Sequence, residues 1–323
     1  MTMKATVFNG IDQIESVDAL LKGKRLGLIT NPTGTRKDLT ATIDLLNERY
    51  QLTALYSPEH GVRGDAQAGV KIADRVDPLT GVMAYSLYGE GDQLTEENTK
   101  DVDMIVVDIQ DVGARFYTYL YTMSYSMACC KKLGLPMVVF DRINPIGGVK
   151  VEGTILDERF RSFVGDYGLP TRTGITIGEL ARYLAGTRPE EFACELTVVP
   201  CKGWKRDLYA DETDLSWVIP SPNLPTIDGA ELYIGTCVFE GTNVSEGRGT
   251  TIPFEIIGAP WLKSYEVVEA IDQGSAEHLK EELGDVLLQV VFHTGIETEA
   301  GGFNLDDVAD GICKKLIYRH PHV

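Results

Sequence analysis

Short apolar runs rich in β-branched residues recur along this chain, and most are followed by a stretch with helical spacing. That alternation constrains the fold more than any other feature. RLGLIT (25–30) precedes a helical pattern around Thr40 to Arg49. LTALY (52–56) and MIVVD (104–108) come next, and the second leads into a long helical stretch at about Tyr117 to Leu133. Gly134 and Pro136 close that stretch before MVVFD (137–141). Thr176, with Glu179 three residues on, forms the reciprocal pattern that caps a helix N-terminus. Further strands are expected near Leu196–Val199 and Leu232–Val238. Strands that are apolar almost throughout need cover on both faces. The pattern therefore predicts an α/β fold, a Rossmann-like parallel sheet with helices on both faces.

Polar and glycine-rich clusters stand just after these runs. They are Asn31-Pro32-Thr33-Gly34, Ser57-Pro58-Glu59-His60-Gly61, Asp108-Ile109-Gln110-Asp111-Val112-Gly113, Asp141-Arg142-Ile143-Asn144-Pro145 and Glu240-Gly241-Thr242-Asn243. In an open parallel sheet the carboxyl ends of the strands share one edge, where ligands bind. The five clusters are therefore expected to converge on one crevice.

Composition removes several function classes. A formal charge of −18 argues against nucleic acid or an anionic membrane surface as a partner, because phosphates are repelled. No run approaches the eighteen or so apolar residues of a membrane span. The first residues carry no apolar core of a secretion signal, so a cytoplasmic protein is expected. The six cysteines form no C-x-x-C pair and read as reduced thiols.

The style of the sequence changes at Trp261, which divides it into segments 1–261 and 262–323. Beyond that point Leu279, Leu283, Val286, Leu287, Val290 and Val291 fall on one helical face, and glycines separate this helix from its neighbours. A small all-α tail is expected there.

Among groups that can do chemistry, His60 is the only histidine before residue 262, and it follows Glu59 directly. A carboxylate beside an imidazole on a convergent edge suits general acid–base work. The plainer alternatives are a loop-bracing histidine and a solvated glutamate. Asp108 and Asp111 are either a catalytic pair or an ion-paired scaffold, and Asp108 fits the scaffold better, since strand-terminal aspartates brace turns. Arg115 and Tyr117 are better placed to contact a ligand, a guanidinium being a bidentate partner for carboxylates. The stretch FEGTNVSEGRGTT (239–251) is dense in glycine and hydroxyls but lacks the Lys-Ser/Thr ending of a phosphate-binding loop. It equally suits sugar hydroxyls, with Trp204 and Trp217 available for stacking or for the core.

Taken in order, NPTG, SPEHGVRGDAQAG, YSLYG, DIQDVGARFYTY, DRINPIGG, VEG, PSPNLPT and GTCVFEGTNVSEGRGTT resemble the motifs of the NamZ/YbbC-type exo-β-N-acetylmuramidases, over about residues 10 to 260. The resemblance implies removal of terminal N-acetylmuramic acid from the non-reducing end of peptidoglycan fragments, with muramyl saccharides as partners and no cofactor. It implies Glu59 as the catalytic acid; His60 and Asp111 stay catalytic candidates on the residue reading alone. Asn31, Arg63, Tyr88, Asp108, Arg115, Tyr117, Asn144, Glu240, Asn243, Glu246 and Arg248 are the matching candidates for substrate binding. Glycoside hydrolysis needs a second group at the anomeric centre. Asp111, Asp108, Glu246 and the substrate's own acetamido oxygen all remain open for it. The lactyl carboxylate of muramic acid calls for a cation, and Arg63, Arg115 and Arg248 are the candidates.

A further domain of that family is expected after Trp261 and is not recognised there. Instead, YEVVEAIDQGSAEHLKEELGDVLLQVVFH and KKLIYRHPHV resemble the second half of a MazG-type nucleoside triphosphate pyrophosphohydrolase. That resemblance implies Mg²⁺ ligated by Glu266, Glu282 and Asp285. Leu262 and Lys263, however, stand where paired glutamates belong, so Mg²⁺ is a cofactor only if the tail is functional. It also implies a homodimer through residues 265 to 318, which would bury the apolar stripe.

Overall fold

The computed structural model describes residues 4–64, 73–88 and 93–259. The expected all-α tail, the magnesium candidates Glu266, Glu282 and Asp285, and the dimer stretch 265–318 lie outside the described residues.

Seven strands form one sheet: β1 (Arg25–Thr30), β2 (Gln51–Ser57), β3 (Arg75–Val76), β4 (Met83–Ser86), β5 (Met104–Asp108), β6 (Met137–Phe140) and β7 (Leu196–Val199). Their order is β3-β4-β2-β1-β5-β6-β7. Every neighbouring pair is parallel except β3 with β4, a short antiparallel edge. The helices are α1 (Asp18–Leu21), α2 (Thr42–Arg49), α3 (Tyr119–Leu133), α4 (Ile177–Thr187), α5 (Pro189–Phe192) and α6 (Ile227–Thr236).

Successive side chains of a strand point to opposite faces, so each apolar strand feeds two cores. Ile29, Tyr56, Ile105, Val107 and Val139 pack on one face with Leu120, Met123 and Met127 of α3 and Leu180 and Leu184 of α4. Leu26, Leu28, Leu55, Val106 and Phe140 pack on the other face with Ile43 and Leu46 of α2 and with Ile11, Ile14 and Leu21. This is the doubly covered parallel sheet that the near-continuous apolar runs require. The five cysteines among the described residues are free thiols.

Two local signals operate as read. Thr176 caps α4: its hydroxyl accepts from the Glu179 amide at 3.2 Å, and Glu179 Oε2 accepts from the Thr176 amide at 3.0 Å. Gly134 ends α3 in the left-handed conformation, with φ of 69°.

One expected strand is a helix. Leu232–Val238 falls in α6 and in the 3-10 turn Cys237–Gly241 that continues it. Thr226 starts this helix by accepting a 2.9 Å hydrogen bond from the Gly229 amide, and Ala230 and Tyr233, three apart, face inward. A short apolar run cannot be told from a buried strand by periodicity alone, and here the cap decides. The cluster Glu240–Asn243 therefore follows a helix, not a strand.

Candidate active site

The parallel register levels the carboxyl ends of the strands. Ser57 of β2 pairs with Ser86 of β4, and Thr30 of β1 pairs with Asp108 of β5. Glu59 and Tyr88 each lie two residues past the paired serines, and the Tyr88 hydroxyl donates to Glu59 Oε1 at 2.8 Å. Both side chains are buried. Next to Glu59, His60 has φ of +75°, the left-handed region that costs a non-glycine residue about 1–2 kcal/mol. Such strain at a strand-end turn fits a position where side-chain direction matters.

Glu59 and His60 open onto a cavity of about 390 Å³. Its floor comes from the segment after β5 and the first residue of α3, with Phe116, Tyr117, Thr118 and Tyr119. It is also lined by Tyr233 of α6, by Cys237, Val238 and Glu240 of the following turn, and by Arg248 and Phe254. Val164, Ser221, Asn223, Leu224 and Gly241 complete it. Aromatic contacts stiffen this wall: Tyr117 meets Tyr119 edge-on at 4.7 Å, and Tyr233 meets Phe254 edge-on at 4.8 Å.

Burial pushes the hydroxyls of Tyr88, Tyr117 and Tyr119 far above their ordinary range, and the negative charge of Glu59 adds to each shift. All three phenols therefore stay neutral; the Tyr88 hydroxyl donates to Glu59 and the Tyr119 hydroxyl to the Pro220 carbonyl at 2.8 Å. At the cavity wall, Arg248 Nη2 lies 2.7 Å from Glu240 Oε2, and Arg248 Nε lies 2.5 Å from Glu246 Oε1. One guanidinium thus holds two carboxylates.

Of the expected site residues, the structure brings Glu59, His60, Tyr117, Glu240 and Arg248 to the cavity, with Tyr88 directly behind Glu59. The others are placed differently. Asp108 is fully buried in a bidentate ion pair with Arg142, at 2.6 and 3.0 Å, and also accepts from the Thr42 hydroxyl at 2.5 Å. It is the scaffold, as its strand-terminal position suggests. Asp111 does not line the cavity; its Oδ2 accepts from the Gly113 amide at 2.7 Å and braces its own turn. Burial pushes that carboxyl up to about 7. Gly113 is required there: its φ is +81°, and a Cβ would sit 2.5 Å from Asn144 Oδ1.

Asn144 is itself a turn brace, donating to the Ile175 carbonyl at 3.0 Å and accepting from the Ile146 amide at 3.2 Å. Asn31 accepts from the Thr33 amide and hydroxyl, at 3.0 and 2.5 Å. Arg63 is clamped by Asp77 at 3.0 and 3.1 Å and reaches Asp44 at 3.0 Å, a geometry that holds Asp77 down at about 2. Arg115 donates to the carbonyls of Thr154 and Leu169, at 2.6 and 2.8 Å, and so ties down the 154–169 segment. Glu246 is buried behind Arg248, and Asn243 is exposed away from the cavity.

Sequence reasoning missed Phe116, Thr118, Ser221, Asn223, Leu224, Tyr233 and Phe254 as wall residues. The signal for five of them was present, since Phe116 and Thr118 lie inside the DIQDVGARFYTY motif and Ser221, Asn223 and Leu224 inside PSPNLPT. Tyr233 was hidden by the strand expectation.

Among the described residues no cluster of three His, Cys, Asp or Glu side chains can hold a metal ion. Among them, too, no helix is long and apolar enough to cross a membrane.

The family model for the N-terminal domain of exo-β-N-acetylmuramidase NamZ matches residues 26–228. The chain belongs to the NamZ family. The model for the C-terminal NamZ domain matches residues 231–292, and that for the MazG nucleotide pyrophosphohydrolase domain matches residues 263–323. The peptidoglycan β-N-acetylmuramidase NamZ of Bacillus subtilis is 50% identical over 274 residues, covering 83% of this chain. The chain spans 65% of that relative's length. At the other end, the nucleoside triphosphate pyrophosphohydrolase/pyrophosphatase MazG of Thermotoga maritima is 58% identical over 66 residues, 20% of this chain and 26% of that protein. A crystal structure of a DUF1343 family protein from Bacteroides fragilis superimposes with a TM-score of 0.75 at 39% identity, covering 84% of this chain and 70% of that one. The α/β fold read from the sequence is thus shared with that structure.

Proposed function

We propose that this chain is a glycoside hydrolase that removes terminal N-acetylmuramic acid from the non-reducing end of peptidoglycan fragments. The observation that carries this reading is Glu59: a buried carboxyl at a strand end, oriented by the Tyr88 hydroxyl and opening onto a cavity of about 390 Å³. A glycosidic oxygen is a poor leaving group until it is protonated, and a fixed carboxyl lining the cavity is placed to supply that proton. The cavity wall suits a pyranose, with aromatic side chains Phe116, Tyr117 and Tyr233 and polar groups from Ser221 and Asn223. The relative from Bacillus subtilis carries the same activity in its name and supports the same reading.

The test compares two disaccharides, one with N-acetylmuramic acid and one with N-acetylglucosamine at the non-reducing end. Release of free N-acetylmuramic acid from the first, and no cleavage of the second, is the expected result. Cleavage of both at equal rates, or of neither, contradicts the reading.

A further inference from the structure

We infer that Glu240 is the second catalytic carboxylate of this cavity, the fixed negative charge that faces the anomeric carbon while Glu59 handles the proton. The inference rests on the glycosidase reading above. Glu59 and Glu240 are the two carboxylates that line the cavity among the described residues. The other carboxylates considered for the second role do not line the cavity and are engaged elsewhere: Asp108 with Arg142, Asp111 with the Gly113 amide, Glu246 with Arg248.

The surroundings of the two cavity carboxylates differ in the way the two roles require. Glu59 accepts from the neutral Tyr88 hydroxyl on Oε1. Glu240 sits against a guanidinium, 2.7 Å away. A carboxyl held by a neutral hydroxyl suits proton transfer, and one held by a guanidinium suits a fixed charge. Arg248 does not cancel that charge, because it also pairs with Glu246. Two carboxylates on one guanidinium leave a net negative charge on the cavity wall. Arg248 is thereby a positioning residue for Glu240, itself held over the Phe254 ring at 5.3 Å. The same count makes Arg248 a poor partner for the lactyl carboxylate of the substrate.

In the reaction, the bond from the anomeric carbon to the leaving oxygen breaks with its electron pair on that oxygen, which takes the Glu59 proton. The sugar ring becomes positively charged and is stabilised by Glu240. Water then bonds to the anomeric carbon, and its released proton restores the Glu59 carboxyl.

The experiment uses the full chain with the methyl and the 4-nitrophenyl β-glycosides of N-acetylmuramic acid. Glu240→Gln is expected to lower kcat by about 10²-fold on both substrates, with KM little changed. Glu59→Gln is expected to hurt the methyl glycoside far more, since a proton donor matters most where the leaving oxygen is most basic. If Glu240→Gln does not fold, Glu240→Asp keeps the ion pair and withdraws the charge by about 1 Å, with a kcat loss of roughly 10–10²-fold expected. A variant with wild-type kcat, a loss confined to KM, or a loss larger on the methyl glycoside overturns the role of Glu240. A wild-type chain inactive on both glycosides overturns the glycosidase reading itself.

Discussion

The Tyr88 hydroxyl and the Glu59 carboxyl meet at 2.8 Å because β2 and β4 run parallel with Ser57 opposite Ser86. Each residue is the second past its paired serine, so the sheet register alone brings them to the same level. The sheet, rather than a flexible loop, sets the direction of the acid.

Tyr88→Phe removes the donor and leaves the ring. The expected outcome is a kcat about tenfold lower, because a hydrogen bond to a charged group contributes about 1.5–3 kcal/mol and its loss loosens the acid. Steady-state kinetics on a muramoside check this. An unchanged kcat would show that Tyr88 does not orient Glu59.

The Asp108–Arg142 pair tests the scaffold. Both side chains are almost wholly buried, at 0% and 4% exposure. Removing one partner leaves a buried charge uncompensated, which costs about 3–5 kcal/mol. Urea unfolding of Arg142→Met should show a loss of that size. A loss under about 1 kcal/mol contradicts the scaffold role.

Much of this arrangement was legible in the residues. The apolar runs named five of the seven strands, and the clusters after them identified the working edge. Strands β3 and β4 escaped because MAYS and the two-residue β3 carry too little periodicity to stand out from a loop. The site was harder. Glu59, His60, Tyr117, Glu240 and Arg248 were on the right list, but Arg63, Asp111 and Asn144 were indistinguishable from them in sequence. A charged or amide residue after a strand has the same signature whether it faces a cavity or braces a turn. Only the partners, Asp77 for Arg63 and the amides of Gly113 and Ile146 for the other two, separate the roles.

Asp111 makes a pH prediction. Burial raises its carboxyl from the ordinary 3.8 to about 7. Between those values the folded chain holds a proton that the unfolded chain releases, so stability falls as pH rises through that window. Asp141, raised to about 6 by burial, acts in the same direction over a narrower range. Asp111→Asn should therefore shrink the difference in unfolding free energy between about pH 4 and about pH 8, leaving the Asp141 part. An undiminished difference contradicts the assignment.

The segment matched by the MazG model carries a prediction from sequence. Leu262 and Lys263 cannot ligate Mg²⁺, and the lysine adds positive charge where oxygen ligands are needed. No appreciable Mg²⁺-dependent release of pyrophosphate from deoxynucleoside triphosphates is expected from the chain. Clear release, abolished by Glu282→Ala, would show that the ligand set is sufficient after all.

The most direct test of the central claim is the rate at which Glu59→Gln releases N-acetylmuramic acid from a disaccharide carrying it at the non-reducing end. The substitution keeps size and the Tyr88 contact but removes the transferable proton. A correctly folded variant about 10²–10⁴-fold slower than the wild-type chain is the predicted result. Wild-type turnover in that folded variant would remove Glu59 from the mechanism.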